Sequence, residues 1–320
     1  MSFRISAGTA SGIPLVYLHD DSTRTEIAIA PAHGAMLHGF SFPVQGAVHN
    51  IIDHYLDETD VDRNLSLSFK SSKLSPFPCR IPEGRYRFNN KDYQFEKLFP
   101  DGTAIHGLLF NKPFTETSKT VTDFMASAQF DYAYRADDAG YPFNYDCRID
   151  YTLFSNQLLQ VKTTLSNQGR EAIPMADGWH PYFSLGGKVD GYRLQFAAEG
   201  MLEFDEKLIP TGHVLPVDDF RNGALLNDRQ LDNCFVLGKP GSNPVCRLSN
   251  PENGISVSFE TDGRYPYLQL YIPPHRRSIA IENLSAAPNA FNNGIGLISL
   301  APGASCAFTV YYRINTGETA

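Results

Sequence analysis

Apolar side chains alternate with polar or small ones along most of this chain. The clearest alternation covers 124–134, 145–153 and 159–165, and a polar run of three residues, Ser155 to Gln157, lies between the last two segments. A period of two predicts strands with one buried face, and the short polar connection predicts that the last two strands form an antiparallel hairpin. Shorter segments with the same pattern predict further strands at 86–88, 93–95, 192–198, 255–259, 268–272 and 306–312.

Turn residues and the scarcity of helical periodicity complete this picture. Asn89 and Asn90 lie between two short strand patterns and predict a tight turn, because Asn tolerates a positive φ. A helical period is compatible only with 217–226, where one short helix is expected. Strands at regular spacing predict an all-β fold, a large antiparallel β-sandwich. Without a linker or an internal repeat, we expect residues 1–320 to form a single domain.

Composition and charge exclude several classes of protein. The 320 residues carry a formal net charge of −8, which argues against a nucleic-acid-binding surface. No apolar run approaches the ~18 residues of a membrane-spanning helix, so no membrane partner is expected. The N-terminus has no apolar signal core, which predicts a cytoplasmic protein. Five widely spaced cysteines without a Cys-x-x-Cys motif are expected to be reduced thiols.

Common motifs for nucleotide binding, nucleophilic catalysis and metal binding are missing from the sequence. It has no phosphate-binding loop, no Gly-x-Gly-x-x-Gly, no Gly-x-Ser-x-Gly and no His-Glu-x-x-His. Its nine histidines are not paired at ligand spacing. We therefore expect no cofactor and no metal, while a metal site assembled from distant strands stays open.

Three positions are candidates for chemistry. His106 is followed directly by Gly107, which permits a ligand or another backbone to approach closely. His180 precedes Pro181, which restricts the histidine to extended geometry, as at the end of a strand. Glu282 follows an alternating apolar strand, where burial would raise the pKa of the carboxyl group. A plain aromatic core strand and a salt bridge at a strand end are the alternatives for the last two positions.

Five sequence blocks resemble, in the same order, those of the aldose 1-epimerase (galactose mutarotase) family. They are Pro-Phe-Pro-Cys-Arg-Ile at 76–81, Ile-His-Gly at 105–107, Trp-His-Pro-Tyr-Phe-Ser-Leu at 179–185, Leu-Asp-Asn-Cys-Phe at 231–235, and Ala-Ile-Glu-Asn-Leu-Ser at 280–285 with Asn-Ala-Phe-Asn at 289–292 and Leu-Ala-Pro-Gly at 300–303. The resemblance extends over roughly residues 27–312. Cys79 stands where the family pattern has Asn, and Asn283 stands where it has Pro, so the preferred sugar stays open.

The resemblance implies an antiparallel β-supersandwich and an isomerase that interconverts the α and β anomers of a free aldohexose without a cofactor. It implies that Glu282 is the base, that His180 is the acid and that His106 forms a hydrogen bond near the ring oxygen. Acid and base would open the ring between C1 and its oxygen and close it again. Opposite charges stabilise each other, so we expect ionised Glu282 and protonated His180 near neutral pH.

The same resemblance implies how the sugar is held. Arg80 and Asp232 would bind ring hydroxyl groups, since a guanidinium only donates and a carboxylate only accepts hydrogen bonds. Trp179 and Tyr182 are candidates for an aromatic wall of the sugar site, whereas core packing is an equally good interpretation of Phe183. The partner is then a small-molecule sugar, and the protein is expected to be a monomer or a homodimer.

Other functions stay open. One is a noncatalytic carbohydrate-binding protein with the same fold. A second is an epimerase for a phosphorylated or modified sugar, in which Arg276 and Arg277 would face the phosphate, although a solvated basic turn is the favoured interpretation of this pair. A lyase or hydrolase with two carboxylates is the third, and the pairing of His with Glu makes it the least favoured.

Overall fold

Antiparallel β-sheet dominates the computed structural model, which describes residues 2–238 and 244–317. Residues 3–68 form β1 (Phe3–Ala10), β2 (Ile13–Asp20), β3 (Thr25–Ala30), β4 (Met36–Val44), β5 (Ala47–Asn50) and helix α1 (Glu58–Ser68). Residues 73–167 form β6 (Lys73–Leu74), β7 (Arg80–Ile81), β8 (Arg85–Phe88), β9 (Lys91–Gln94), β10 (Ala104–Ile105), β11 (Thr115–Val121), β12 (Met125–Arg135), β13 (Asn144–Phe154) and β14 (Leu158–Asn167). Residues 173–316 form β15 (Ile173–Met175), β16 (Gly178–Trp179), β17 (Tyr182–Phe183), β18 (Arg193–Phe196), β19 (Ala198–Phe204), β20 (Pro210–Leu215), β21 (Ala224–Leu225), β22 (Asp232–Leu237), β23 (Cys246–Asn250), β24 (Ile255–Thr261), β25 (Tyr267–Tyr271), β26 (Ile279–Leu284), helix α2 (Ala290–Asn293), β27 (Ile298–Leu300) and β28 (Ser305–Thr316).

Three large sheets contain most of the strands that the structure describes. The first contains β1 to β5 in sequential order. The second has nine strands in the order β11-β12-β13-β14-β28-β24-β23-β18-β21. The third has the order β20-β19-β22-β25-β26-β16-β6, and β17 also pairs with β26. Neighbouring strands in these sheets run antiparallel, which confirms the all-β antiparallel fold class.

Period-two alternation is the reason that β12, β13 and β14 form where the sequence predicts strands. In β13, Cys147, Ile149 and Tyr151 are fully buried, while the polar residues between them face outward. Ile149 pairs with Phe130 of β12 on one side and with Thr163 of β14 on the other. The predicted hairpin of β13 and β14 is therefore confirmed.

Helix predictions were less accurate. The helix expected at 217–226 is absent: the segment forms turns followed by β21. Its apolar residue Phe220 packs into the core against Phe196 and Phe235. The sequence analysis missed α1, which buries only Val61 and Leu65 and therefore has a weak apolar stripe. No helix in the described residues is long and apolar enough to cross a membrane.

One hydrophobic cluster connects all three large sheets. It includes Ile27 of the first sheet, Phe130 and Ile149 of the second, and Leu268 and Ile281 of the third. Burial of these side chains provides the main stabilising contribution to the fold, roughly 1.5–3 kcal/mol for each large apolar side chain. One face of the third sheet thus packs against this cluster, and polar side chains can lie on its other face.

Candidate active site

Short strands β6 and β16 position His180. The two strands pair through Leu74 and Gly178, and residues on either side of the pairing continue the contact. The His180 N–H donates to the Ser72 carbonyl at 3.1 Å, and the Ser71 N–H donates to the His180 carbonyl at 2.9 Å. His180 therefore lies between β16 and β17 with its backbone fixed on both sides, as expected for an imidazole presented at the end of a strand.

The neighbouring segment fixes His106. The Leu108 N–H donates to the Ser75 carbonyl at 2.7 Å, and Ser75 also forms a bridge to Gly107. A Cβ atom on Gly107 would lie 2.2 Å from the Ser75 carbonyl oxygen, so only glycine permits this approach. The predicted close backbone approach at this glycine is confirmed. It brings the rings of His106 and His180 to a centroid separation of 4.9 Å, nearly perpendicular to each other.

Cross-strand pairing places Glu282 beside two other polar groups. Glu282 lies within β26, every residue of which is buried, rather than at the strand end that its sequence context suggested. Its partner on β25 is Gln269, and on the next strand Asp232 pairs with Tyr271. Because β22, β25 and β26 are adjacent in the third sheet, these side chains share one face of it.

This face forms the floor of a cavity of about 400 Å³. The volume lies within the range of roughly 300–1,000 Å³ that is typical of sites for small molecules. Its polar and aromatic lining includes Arg80, Asp101, His106, His180, Tyr182, Asp232, Gln269, Tyr271 and Glu282. Six of the seven residues for which the sequence predicts a role in the site therefore meet in one cavity.

His180 and Glu282 lie in contact inside the cavity. His180 Nε2 lies 3.3 Å from Glu282 Oε1, and both side chains are almost completely buried, at 6% and 2% exposure. The second carboxylate oxygen of Glu282 has no hydrogen-bond partner among the described residues. An unpaired buried oxygen is costly, so this atom is available to a ligand that brings a donor.

Burial acts against charge on both members of this pair. It raises the pKa of Glu282 well above its usual value, and the nearby Asp232 carboxylate adds to the effect. It lowers the pKa of His180 to about 4. The expectation of an ion pair near neutral pH is therefore not supported, because burial favours the neutral form of each side chain. A carboxylate with a raised pKa is a stronger base, and an imidazolium with a lowered pKa is a stronger acid.

His106 is a neutral hydrogen-bond donor in this arrangement. The Cys79 N–H donates to His106 Nδ1 at 3.3 Å, so the proton of the neutral ring lies on Nε2. Burial, reinforced by His180 and Arg80, lowers the pKa of His106 well below its usual value. The ring thus offers an uncharged N–H.

A metal is a further occupant to consider, because ligand atoms of His106, His180 and Glu282 all lie within 4.8 Å of one another. A metal-bound imidazole usually carries its proton on the nitrogen that faces away from the metal and donates it to a neighbouring group. In His106 the corresponding nitrogen accepts a hydrogen bond from the Cys79 N–H instead. This contact disfavours a metal ligand at His106.

Arg80 and Asp232 flank the cavity with opposite hydrogen-bonding properties. Arg80 Nη1 is 2.8 Å from Asp101 Oδ2, and a quarter of its side chain remains exposed. Asp232 Oδ1 accepts a hydrogen bond from Gln269 Nε2 at 2.9 Å. Burial raises the pKa of Asp232, while Arg80 and Gln269 act in the opposite direction.

Gln269 is a lining residue that the sequence analysis missed, as it missed Asp101 and Tyr271. Its Oε1 atom is buried and has no hydrogen-bond partner in the described part of the chain. A single Gln within a short strand pattern carries no local signal. The pairing of β25 with both β22 and β26, which sequence alone did not reveal, is what places it between Asp232 and Glu282.

Residues 18–313 match the family model described as aldose 1-epimerase. The chain belongs to the aldose 1-epimerase family. It is accordingly an isomerase of the epimerase type, as the sequence blocks predicted.

Relatives in this family support the assignment at moderate identity. The chain is 29% identical over 262 residues to the uncharacterized protein YihR of Escherichia coli (strain K12), with 80% of each chain covered. It is 27% identical over 220 residues to an aldose 1-epimerase of Streptococcus thermophilus, covering 64% of this chain and 62% of the relative. A galactose mutarotase-like protein from Clostridium acetobutylicum has the same fold, with a TM-score of 0.87, 18% identity and 99% coverage of both chains.

One residue expected in the site of this epimerase lies elsewhere. Trp179 does not line the cavity: its ring packs into the core, its Nε1 atom donates to Thr163 Oγ1 at 3.2 Å, and Lys73 Nζ lies 4.4 Å from the ring centroid. The prediction that Trp179 forms part of an aromatic wall was therefore wrong, because neighbouring residues of a strand point to opposite faces. Tyr182 does line the cavity, stacked on His180 at a centroid distance of 5.0 Å.

Proposed function

We propose that the protein interconverts the α and β anomers of a free aldohexose, with Glu282 as base and His180 as acid. The observation that carries this proposal is the 3.3 Å separation between His180 Nε2 and Glu282 Oε1 in a buried cavity. The anomeric hydroxyl oxygen and the ring oxygen of a sugar are bonded to the same carbon. Two groups this close can therefore contact both oxygens at once.

The reaction needs one proton on the pair. Glu282 takes the proton of the C1 hydroxyl while His180 gives a proton to the ring oxygen, and the bond between C1 and the ring oxygen breaks. The open aldehyde rotates about its C1–C2 bond and closes again with the two proton transfers reversed. Each closing step restores the starting protonation of the pair, so no net proton is consumed. Acid–base assistance of this kind contributes on the order of 10²–10⁴ in rate.

The remaining lining residues suit recognition of a neutral sugar. The uncharged N–H of His106 can donate to the ring oxygen or to a neighbouring hydroxyl without competing for the proton of His180. Arg80 supplies donors, whereas Asp232 and the unpaired Oε1 of Gln269 supply acceptors. Hydroxyl groups, which both donate and accept, are complementary to such a mixed set.

A phosphorylated substrate has weaker support. Arg276 does not line the cavity; its guanidinium bonds to Asp190 and to the carbonyls of Asn227 and Arg229. Among the described lining residues, Arg80 alone carries a permanent positive charge, and Asp101 lies against it. The proposed substrate is therefore an unphosphorylated aldohexose.

Anomer-exchange NMR tests the proposal directly. Glucose, galactose and their 6-phosphates are equilibrated with the protein, and exchange between anomers is measured against buffer. We expect accelerated exchange for at least one free hexose and little for the phosphates. Binding of a sugar without accelerated exchange would instead identify a noncatalytic carbohydrate-binding protein.

A further inference from the structure

A completely buried ion pair joins β6 to the residue that precedes β16. Lys73 Nζ is 2.5 Å from Asp177 Oδ1, and neither side chain is exposed. Lys73 also donates to the Gly178 carbonyl at 3.1 Å, and Asp177 Oδ2 accepts the Tyr265 hydroxyl at 2.7 Å. Burying two charges costs several kcal/mol for each ion, so an apolar pair would stabilise the fold at least as well.

The ion pair lies next in the chain to residues that bind the segments of His180 and His106. Lys73 follows Ser72, which binds the His180 backbone, and lies two residues before Ser75, which binds the loop of His106. Asp177 lies three residues before His180 on the other strand. The ion pair thus joins the segment that carries His180 to the segment that binds the loop of His106.

Asp177 also connects to the strand of Glu282. Its N–H donates to Ser285 Oγ at 2.8 Å, and its carbonyl accepts the Ser285 N–H at 2.9 Å. Ser285 follows Glu282 by three residues. These contacts of Asp177 therefore connect the segment that carries His180 to the segment that carries Glu282.

Strand length explains why such a connection is needed. β6 and β16 contain two residues each, and the backbone hydrogen bonds of His180 with Ser71 and Ser72 and of Ala176 with Pro76 extend their pairing by only a few residues. A buried ion pair with defined hydrogen bonds is costly to shift by even a fraction of a residue, and fixing register is the best-supported role of buried polar groups.

We propose that Lys73 and Asp177 are positioning residues, which fix His180 at its working distance from Glu282. This inference rests on the proposed mutarotase function. A displacement of about 1 Å in catalytic geometry can cost on the order of 10²-fold in rate. Loss of the pair should therefore lower kcat while leaving the KM for the sugar largely unchanged, because the groups that hold the hydroxyls are separate.

The test replaces both charges together. Lys73→Met with Asp177→Leu removes the pair without leaving one charge unpaired, and circular dichroism and denaturation establish that the variant is folded. We expect kcat for anomer exchange to fall about 10-fold or more, because His180 is displaced from its working position. The KM for the sugar should stay nearly unchanged. Exchange at the wild-type kcat, or a loss confined to KM, would overturn the proposal.

A second background separates positioning from general damage. In a His180→Asn protein, the same double replacement should lower the residual kcat no further, because there is no imidazole left to position. An equal additional loss in that background would mean that the pair acts on folding or on another group, and would overturn the proposal.

Two further measurements test the positioning role even if the double variant does not fold or the wild-type protein shows no exchange. Tyr265→Phe removes only the hydroxyl that binds Asp177 and should lower kcat to a smaller extent. The imidazole NMR signals of His180, identified by their loss in His180→Asn, should shift in Tyr265→Phe whether or not the protein is active. Unchanged signals would count against the positioning role alone, whereas absent exchange in the wild-type protein would count against the mutarotase function alone.

Discussion

Gly107 and Ser75 approach so closely that a Cβ on the glycine would lie 2.2 Å from the Ser75 carbonyl oxygen. This contact holds the His106 loop against the segment that also fixes His180. Gly107→Ala should therefore displace His106 and lower kcat/KM for anomer exchange by roughly 10²-fold, the cost of a displacement of about 1 Å in catalytic geometry.

Gly303→Ala is the matched control for this change. Gly303 has a φ of 70°, close to the 74° of Gly107, but no atom lies near the position of its Cβ. Both variants bear the cost of an alanine at positive φ, of the order of 1–2 kcal/mol in stability. Equal activity losses in the two variants would show that backbone strain, and not the contact with Ser75, accounts for the effect.

Glu282→Gln and His180→Asn should each lower the exchange rate by about 10²-fold or more, because each removes one partner of proton transfer while preserving side-chain size. The exposed pair of Glu203 and His213, 3.0 Å apart, provides matched controls. Glu203→Gln and His213→Asn should leave exchange unchanged. If folded Glu282→Gln exchanges anomers at nearly the wild-type rate, another carboxylate is the base, and Asp232 would be the first to examine.

The pH dependence of kcat/KM should be bell-shaped, since the pair works with one proton. As pH falls through about 4, His180 is protonated while Glu282 also holds a proton, so no base remains and activity is lost. As pH rises through the raised pKa of Glu282, the pair loses its proton and no acid remains. The two apparent pKa values belong to the coupled pair.

The ionised Glu282 and protonated His180 that the sequence analysis expects near neutral pH would give the opposite order, with the carboxylate titrating in the acid limb. Rates measured by exchange NMR from acidic to alkaline pH, with buffer catalysis subtracted, distinguish the two. In His180→Asn the alkaline limb should disappear, because no acid remains to lose its proton, and the remaining loss of activity on acidification should follow the raised pKa of Glu282. If that loss instead occurs where the wild-type acid limb lies, Glu282 is ionised at neutral pH and the ion pair exists.

Arg80→Ala should raise the KM for the sugar more than it lowers kcat, because contacts to hydroxyls that do not react are made equally in the ground state and the transition state. Asp232→Asn should behave similarly. Arg85→Ala is a suitable control, since the side chain of Arg85 is exposed and forms an ion pair with exposed Glu83 at 3.3 Å. A loss of kcat at constant KM would assign Arg80 to the chemical step.

Lys73→Met alone should lower the free energy of unfolding by about 3–5 kcal/mol, because the buried carboxylate of Asp177 is left unpaired. Lys119→Met removes a partly exposed partner of Glu116 and should cost less than about 1 kcal/mol. Urea denaturation of both variants measures the difference. Similar costs would mean that Asp177 is protonated, or otherwise satisfied, once Lys73 is removed.

The sequence by itself determined the strands and the identity of the chemical groups. Alternation of apolar and polar residues is a local property, so it located β12, β13 and β14 correctly. Local motifs likewise identified His106, His180 and Glu282 and the family to which the chain belongs. The weak apolar stripe of α1 and the turns at 217–226 were misjudged because tertiary packing, rather than local periodicity, decides those segments.

Only the tertiary structure decided which side chains face one another. Because β22, β25 and β26 are adjacent, Gln269 lies between Asp232 and Glu282. In the sequence it is far from both residues, and its strand contains no motif. Alternation across β16 turned Trp179 into the core while His180 met the cavity. Charge also depends on surroundings: an isolated Glu and His would attract each other as ions, but burial raises the pKa of Glu282 and lowers that of His180. Desolvation is a property of the folded environment, and a sequence does not specify it until the strands are paired.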